Sequence, residues 1–395
     1  MEQIVGERQD EQRNRRGIEA SFNIAVFDKT SVQIAGLLHE NAFLGLCEGE
    51  ENIVFAVQED EIQSVLQLTP CVASMRRNPR LKKVKHRINM SDIERVKTNR
   101  ISVATTKTQY RQKGYMGRLI AGSLEYQQQL KIPFCFVESG NKSFWEHFGF
   151  AYIYDRPQYE LNKELISQEA LKQAVEGKFI SLPCSDVVLH VVDHNSVLSL
   201  AHFVNANLCQ YYGLFIIRSA LYFEHFQREL ELGGGNLFEI IENGKMKGYF
   251  AYTGDACIRE AVFADDADRE RFLCIKEEKK PAVMARIVNL SEMMRHIAGN
   301  GKITVAIKLT DPVLENNNGV FLWYIDENGS RMERVEQQNN DTEASARPEV
   351  TTTIGEFTAF IFEYIQLKQN AKFDSIYLSG PVWMNERYYT DGHKD

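Results

Sequence analysis

Between Ile101 and Phe150 the chain reads ISVATTKTQYRQKGYMGRLIAGSLEYQQQLKIPFCFVESGNKSFWEHFGF, and this stretch limits the possible folds more than any other. Residues 100–105 form an apolar run that predicts a strand. Leu119, Ile120, Leu124 and Leu130 then recur at helical spacing, Pro133 stops the helix, and Phe134 to Glu138 predict a further strand. A short helix around Phe144 to His147 and a strand through Tyr152 to Tyr154 complete the unit. The loop Arg111-Gln112-Lys113-Gly114-Tyr115-Met116-Gly117 therefore connects a strand to a helix N-terminus, where backbone N–H groups converge and the helix dipole is positive. Gly114 leaves room for close approach of the backbone, and Arg111 and Lys113 add charge. Such a loop suits a pyrophosphate.

The flanking sequence extends this unit into a larger α/β chain. Apolar spacing over residues 21–47 predicts one or two helices, and residues 52–57 and 62–68 predict two strands joined by a turn at 59–61. From about Leu161 the pattern restarts. Residues 187–193 predict a strand, Val197 to Leu208 a helix, and LFEII (237–241) and GYFAYT (248–253) a hairpin closed by Asn243-Gly244. Gly233-Gly234-Gly235 reads as a plain turn, because it lacks the following Lys-Ser/Thr of a phosphate loop. After the linker at 277–281 come strands at 303–309 and 320–326, a polar excursion from Glu327 to Pro348, and a helix from Ile354 to Leu367. At 395 residues the chain exceeds what one simple core holds, so two or three domains are expected.

Charge and cysteine usage exclude several classes. A net charge of −8 disfavours nucleic acid as a partner, and the run from Arg76 to Arg87 reads either as a solvated loop face or as an anion or partner site. The seven cysteines are scattered singly with no Cys-x-x-Cys pair, which suggests a reducing, cytoplasmic setting. No run of 18 apolar residues predicts a membrane span, and no zinc-type His or Cys spacing predicts a metal site.

The R-x-x-G-x-x-G loop followed by Phe148-Gly149-Phe150 resembles the Gcn5-related N-acetyltransferase (GNAT) superfamily over residues 20–160, with Met116 standing where Gly or Ala is usual. That variant is similar to the Eis (enhanced intracellular survival) branch. YYGLFIIRSALYFEHF (211–226) with the hairpin after it resembles that branch's second domain, and PAVMARIVN (281–289) with residues 303–323 resembles its third. The resemblance implies two tandem GNAT folds with mixed central sheets over residues 1–160 and 161–280. The second would hold no cofactor, and a sterol-carrier-protein-like α+β domain would follow over 281–395.

It also implies transfer of an acetyl group from acetyl-CoA to the primary amine of a small cationic acceptor, by a homo-oligomer. Acetyl-CoA is expected at Ala104, Thr105, Thr106, Arg111, Gln112, Lys113, Gly114, Tyr115, Met116, Gly117, Gly140 and Asn141. Main-chain amides on the strand through Ala104 to Thr106 would polarise the thioester carbonyl. Where Eis-like enzymes place an acid Tyr, this chain has Trp145, whose indole suits a cavity wall or packing; Tyr152, Tyr154 and Tyr115 are the nearby phenols. The family's base is the chain's terminal carboxylate. Here that group belongs to Asp395, beyond Tyr388-Tyr389, with Asp391 as the alternative. Glu138 is expected either to attract the amine or to sit solvated, His147 to face either water or a substrate, and Phe148 and Phe150 to lie in the core. The rival reading is a catalytically weakened acyl-CoA- or ligand-binding protein on the same scaffold.

Overall fold

The computed structural model describes residues 24–27, 53–58, 62–76, 93–183, 186–254, 257–299, 301–335, 348–365, 367 and 382–383. The first third of the chain forms β1 (Ile24–Phe27), β2 (Ile53–Gln58), β3 (Ile62–Arg76) and β4 (Ile93–Thr106). Then follow α1 (Tyr115–Gln129), β5 (Phe134–Glu138), α2 (Lys142–Glu146) and β6 (Ala151–Leu161). The strand at Ile24–Phe27 corrects the helical reading of that segment: it pairs antiparallel with β2, and a four-residue apolar run satisfies its backbone in a sheet as readily as in a helix. The rest of residues 21–47 lies outside the described residues.

The middle of the chain supplies α3 (Gln168–Gly177), β7 (Phe179–Ser181), β8 (Val187–Val191), α4 (Val197–Tyr211), β9 (Leu214–Ile216) and α5 (Ala220–Leu232). After these come β10 (Asn236–Glu242), β11 (Lys245–Tyr252), β12 (Ile258–Phe263), α6 (Asp266–Phe272) and β13 (Leu273–Ile287). The expected hairpin is β10–β11, with Asn243 and Gly244 both at positive φ (50° and 72°), as a tight primed turn requires. Gly233 to Gly235 form the turn that leads out of α5.

Among the described residues these thirteen strands and a short one at Val382–Trp383 make one 14-stranded sheet with the main path β1-β2-β3-β4-β5-β13-β6-β12-β11-β10-β8-β7. β13 runs between β5 and β6: Val283–Ile287 pair with Phe134–Glu138 on one side, and Leu273–Ala285 pair with Ala151–Leu161 on the other. Residues 281–287, grouped above with the third domain, are thus an interior strand of the large sheet. Their apolar composition fits burial on both faces, since Val283, Met284, Ala285 and Ile287 are all buried.

The last unit contains α7 (Leu290–Met294), β14 (Ile303–Thr310), β15 (Gly319–Asp326), β16 (Gly329–Arg334), β17 (Val350–Thr353) and α8 (Ile354–Ile361). Its sheet has the order β16-β15-β14-β17, antiparallel except for the β14–β17 pair. β16 corrects part of the expected excursion at 327–348, since β15 offers its outer edge to Gly329–Arg334. Helix α8 opens with a capping box from Thr353 and Glu356, and its apolar face (Ile354, Phe357, Phe360, Ile361) is buried. The pair β18 (Val382–Trp383) and β9 runs parallel.

Candidate active site

The site begins where two parallel strands part. β4 and β5 pair only over Asn99–Ile101 and Cys135–Val137. Beyond Ile101, β4 continues to Thr106 held on its other edge by β3, with Leu66 opposite Ala104 and Ser64 opposite Thr106. β5 instead stays with β13, where Glu138 faces Val283. From Ser102 to Thr106, β4 therefore has no partner on its β5 side among the described strands, and its backbone groups on that edge face a cleft. Just before the parting, buried polar bonds tie β4 to its neighbours: Thr98 Oγ1 donates to the Phe134 carbonyl (2.7 Å) and Asn99 Nδ2 donates to Gln127 Oε1 of α1 (3.0 Å).

The cleft is a cavity of about 750 Å³. Of the residues singled out from the sequence, Ala104, Thr105, Thr106, Arg111, Gln112, Gly114, Tyr115, Met116, Gly117, Asn141 and Trp145 line it. Lys113 is placed differently, with its ammonium 5.0 Å over the Tyr110 ring. Gly140 lines a smaller neighbouring cavity of about 170 Å³, which shares Glu138 and Ser139 with the large one. Tyr152 lies just behind the wall, and its hydroxyl donates to the Ser139 carbonyl (3.2 Å). Asp395 and Asp391 lie outside the described residues, as do residues 77–87 of the basic run.

Helix α1 points its N-terminus at this space. Gly114 is its N-cap at φ 81°, no side chain caps it, and its first turn carries no acidic residue. The first-turn N–H groups and the positive dipole end face this space, as suits a ligand anion. A Cβ added at Gly114 would touch no atom of the protein, so glycine serves the left-handed backbone there rather than packing. Arg111 is aimed by its Nε, which donates to the Thr106 carbonyl (3.2 Å). The far wall is aromatic: Trp145 is buried and meets the Phe144 and Phe150 rings edge-on, each at 5.2 Å between centroids. Asn141 accepts from the Phe144 N–H (3.2 Å) and so fixes the start of α2.

The electrostatics of the acceptor end differ from the simple reading of Glu138 as bait for a cation or as a solvated residue. Glu138 is buried and its Oε2 lies 2.6 Å from Arg156 Nη2. Burial pushes its carboxyl above the usual range, against the attraction of Arg156, Arg100 and Arg259. Burial likewise raises the phenols of Tyr152 and Tyr154 above their ordinary value. His147 is exposed, bonds through Nδ1 to the Ser143 carbonyl and is not among the residues that line the cavity.

Sequence reasoning missed Arg286 and Asp311. Both side chains are fully buried and ion-paired, and Arg286 also donates to the Phe148 carbonyl. An arginine inside the apolar run PAVMARIVN was the available signal, because a charge enters a core only with a partner. Its partner, 25 residues on, has no local signature. Phe150 lies as expected in the buried apolar cluster with Leu119, Ile120 and Trp145, whereas Phe148 is half-buried and packs against that cluster.

Residues 291–382 match the family model of the sterol carrier protein domain. Among solved structures, the GCN5-related N-acetyltransferase of Anabaena variabilis ATCC 29413 superposes with a TM-score of 0.63 at 14% identity, covering 93% of this chain and 100% of that one. A protein of Enterococcus faecalis V583 called a probable N-acyltransferase gives 0.62 at 14% identity over 94% of this chain and all of its own. Eis1 of Mycobacterium abscessus gives 0.59 at 8% identity, covering 91% and 94%. No curated protein matches the chain in sequence. At these identities the likeness is one of fold. The chain has a mixed α/β fold of the GNAT kind, with a sterol-carrier-like unit at its C-terminal end. No described helix is long and apolar enough to cross a membrane. Among the described residues no cluster of three His, Cys, Asp or Glu is placed to hold a metal ion.

Proposed function

We propose that the chain is an Eis-like N-acetyltransferase that moves the acetyl group of acetyl-CoA to a primary amine of a cationic acceptor, such as a polyamine, an aminoglycoside or a lysine side chain. The observation that carries this reading is the cavity at the parting of β4 and β5, into which an uncapped, acid-free helix N-terminus and Arg111 both point. Residues 1–160 form the acyl-CoA domain, 161–280 a second GNAT-like domain without cofactor, and 281–395 the carrier-like domain, with β13 threading back into the first. The assembly is a cytoplasmic homo-oligomer.

Acetyl-CoA brings an activated acyl thioester to the site. The α1 N–H groups and Arg111 hold its pyrophosphate. The unpartnered edge of β4 at Ala104 to Thr106 supplies amides to the thioester region, where preorganised donors stabilise developing negative charge. Holding amine and thioester together in the cleft removes much of the entropic barrier. Tyr152, behind the wall with its hydroxyl resting on the Ser139 carbonyl, would turn to serve as the proton donor to the departing thiolate. The carboxylate of Asp395 takes the proton from the amine, with Asp391 as its alternate.

A second reading is favoured by one feature. Trp145 occupies the wall position of the family's acid and is locked between Phe144 and Phe150, as suits an acyl-CoA-binding protein of weak activity. Release of CoA thiol is followed with spermidine, an aminoglycoside and Nα-acetyl-lysine as acceptors. Turnover with any of them supports the enzyme; tight acetyl-CoA binding without turnover supports the weakened form. Absence of binding to folded protein rejects both.

A further inference from the structure

We propose that the buried Arg286–Asp311 pair is a positioning device through which the C-terminal unit holds the first turn of α1 and the aromatic wall of the acyl-CoA cavity. The proposal rests on the functional reading above only for its choice of ligand. Asp311 is fixed inside its own unit: Oδ1 accepts from the Val313 and Leu314 N–H groups, both at 2.9 Å, and Oδ2 accepts from Asn317 Nδ2, also at 2.9 Å. Its N–H donates to Asn318 Oδ1 at 2.7 Å. Arg286, on the interior strand β13, donates through Nη2 to Asp311 and through Nη1 to the Phe148 carbonyl.

Phe148 passes the constraint on in two directions. Its ring lies against Gly117, where an added Cβ would stand 3.4 Å from Phe148 Cζ. Gly117 is the third residue of α1, within the turn that faces the cavity. The same ring meets Phe144 of the wall at 5.4 Å between centroids. On its other side the turn is seated on the C-terminal unit, because a Cβ at Gly149 would come 2.6 Å from Ile354 Cγ2. An unbroken series of contacts therefore runs from Asp311 through Arg286 and Phe148 to the anion-facing end of α1.

The chemistry of the pair argues for position rather than stability. Burying two charges carries a desolvation cost that well-packed apolar residues of the same volume avoid, so such a pair contributes little net stability. What it supplies is direction: a charged fork aims at one carbonyl and one carboxylate, and an apolar side chain aims at neither.

The experiment compares Asp311→Asn with Phe148→Leu, their double variant, and Val305→Ala, a cavity-forming change in the same C-terminal unit. All are made in the full chain. One readout is hydrogen exchange across residues 115–120 without ligand; the other is acetyl-CoA affinity by calorimetry, at a temperature where every variant is folded. Asp311→Asn is expected to speed exchange in the first turn of α1 and to weaken acetyl-CoA binding about tenfold, within the usual range of coupling between sites. In the Phe148→Leu background the same change adds less than twofold, because the route is already cut, and Val305→Ala shifts neither readout. Should Asp311→Asn fail to fold, Arg286→Lys takes its place with the same expectations. Wild-type exchange and affinity in folded Asp311→Asn overturn the proposal, as does an equal effect from Val305→Ala. Faster exchange in Asp311→Asn from a wild type that binds no acetyl-CoA upholds the positioning route and rejects the functional reading.

Discussion

Replacing Gly149 by alanine tests how the Phe148–Phe150 turn is seated. Gly149 has φ 75°, and an added Cβ would lie 2.6 Å from Ile354 Cγ2 and 3.4 Å from Arg286 Nη1. Two costs add: a left-handed alanine costs about 1–2 kcal/mol, and forcing a methyl into a filled core costs about 1–3 kcal/mol more. The expected loss is about 2–5 kcal/mol. Gly114 is the internal control, since it has φ 81° and a Cβ there meets nothing within 4 Å. Gly114→Ala should lose only the backbone share, about 1–2 kcal/mol. Urea unfolding of both variants gives the difference directly when their slopes agree with the wild type. Because the clashing atom is the β-branch methyl, Ile354→Leu removes it at a cost of under about 1.5 kcal/mol. In that background at least half of the excess cost of Gly149→Ala should disappear. Equal losses for Gly149→Ala and Gly114→Ala would refute the seating of this turn on α8.

Other expectations follow from the same geometry. Arg156→Met should destabilise the fold by about 3–5 kcal/mol in thermal or urea unfolding, because it leaves the Glu138 carboxylate buried without its ion pair; Glu138→Gln should cost much less. Burial raises the Glu138 carboxyl above its ordinary 4.5, so the native state holds that proton more tightly than the unfolded chain does. Its contribution is therefore greatest below pH 4.5 and falls as pH rises through the native value, and the stability of Glu138→Gln relative to wild type should rise over that interval. Cys135 is buried with its thiol pushed up to about 12, whereas Cys257 and Cys274 are exposed. Iodoacetamide at pH 8 should alkylate the latter two in the native protein and reach Cys135 only after unfolding. Trp145→Tyr should leave acetyl-CoA affinity within a few-fold and raise turnover if the wall position needs an acid.

Much of this was legible because local pattern and local structure coincide. The strand, loop and helix over residues 100–130 obey simple periodicity, and Asn243-Gly244 closes its hairpin as its φ preferences dictate. The cavity-lining set was legible for a related reason, since a loop between a strand and a helix N-terminus presents its residues at one place. What escaped was long-range. β3 runs to Arg76 and β4 starts at Ile93, because each strand satisfies the other far beyond their apolar centres, Pro70 included. The placement of β13 between β5 and β6 depends on Val283 meeting Glu138, 145 residues earlier, and no window of sequence records that. Ser139, Tyr110 and Phe144 entered the cavity wall for the same reason, as neighbours in space of residues already chosen.

The central claim is that the opening between β4 and β5 holds acetyl-CoA against the first turn of α1. Its most direct test is a calorimetric titration of the full chain with acetyl-CoA, repeated on Lys113→Ala/Gly114→Asp, which sets a carboxylate and a Cβ at the N-cap. The account predicts one binding event per chain for the wild type and none for the folded double variant. Binding that the double change leaves intact, or no binding to folded wild type, would contradict it.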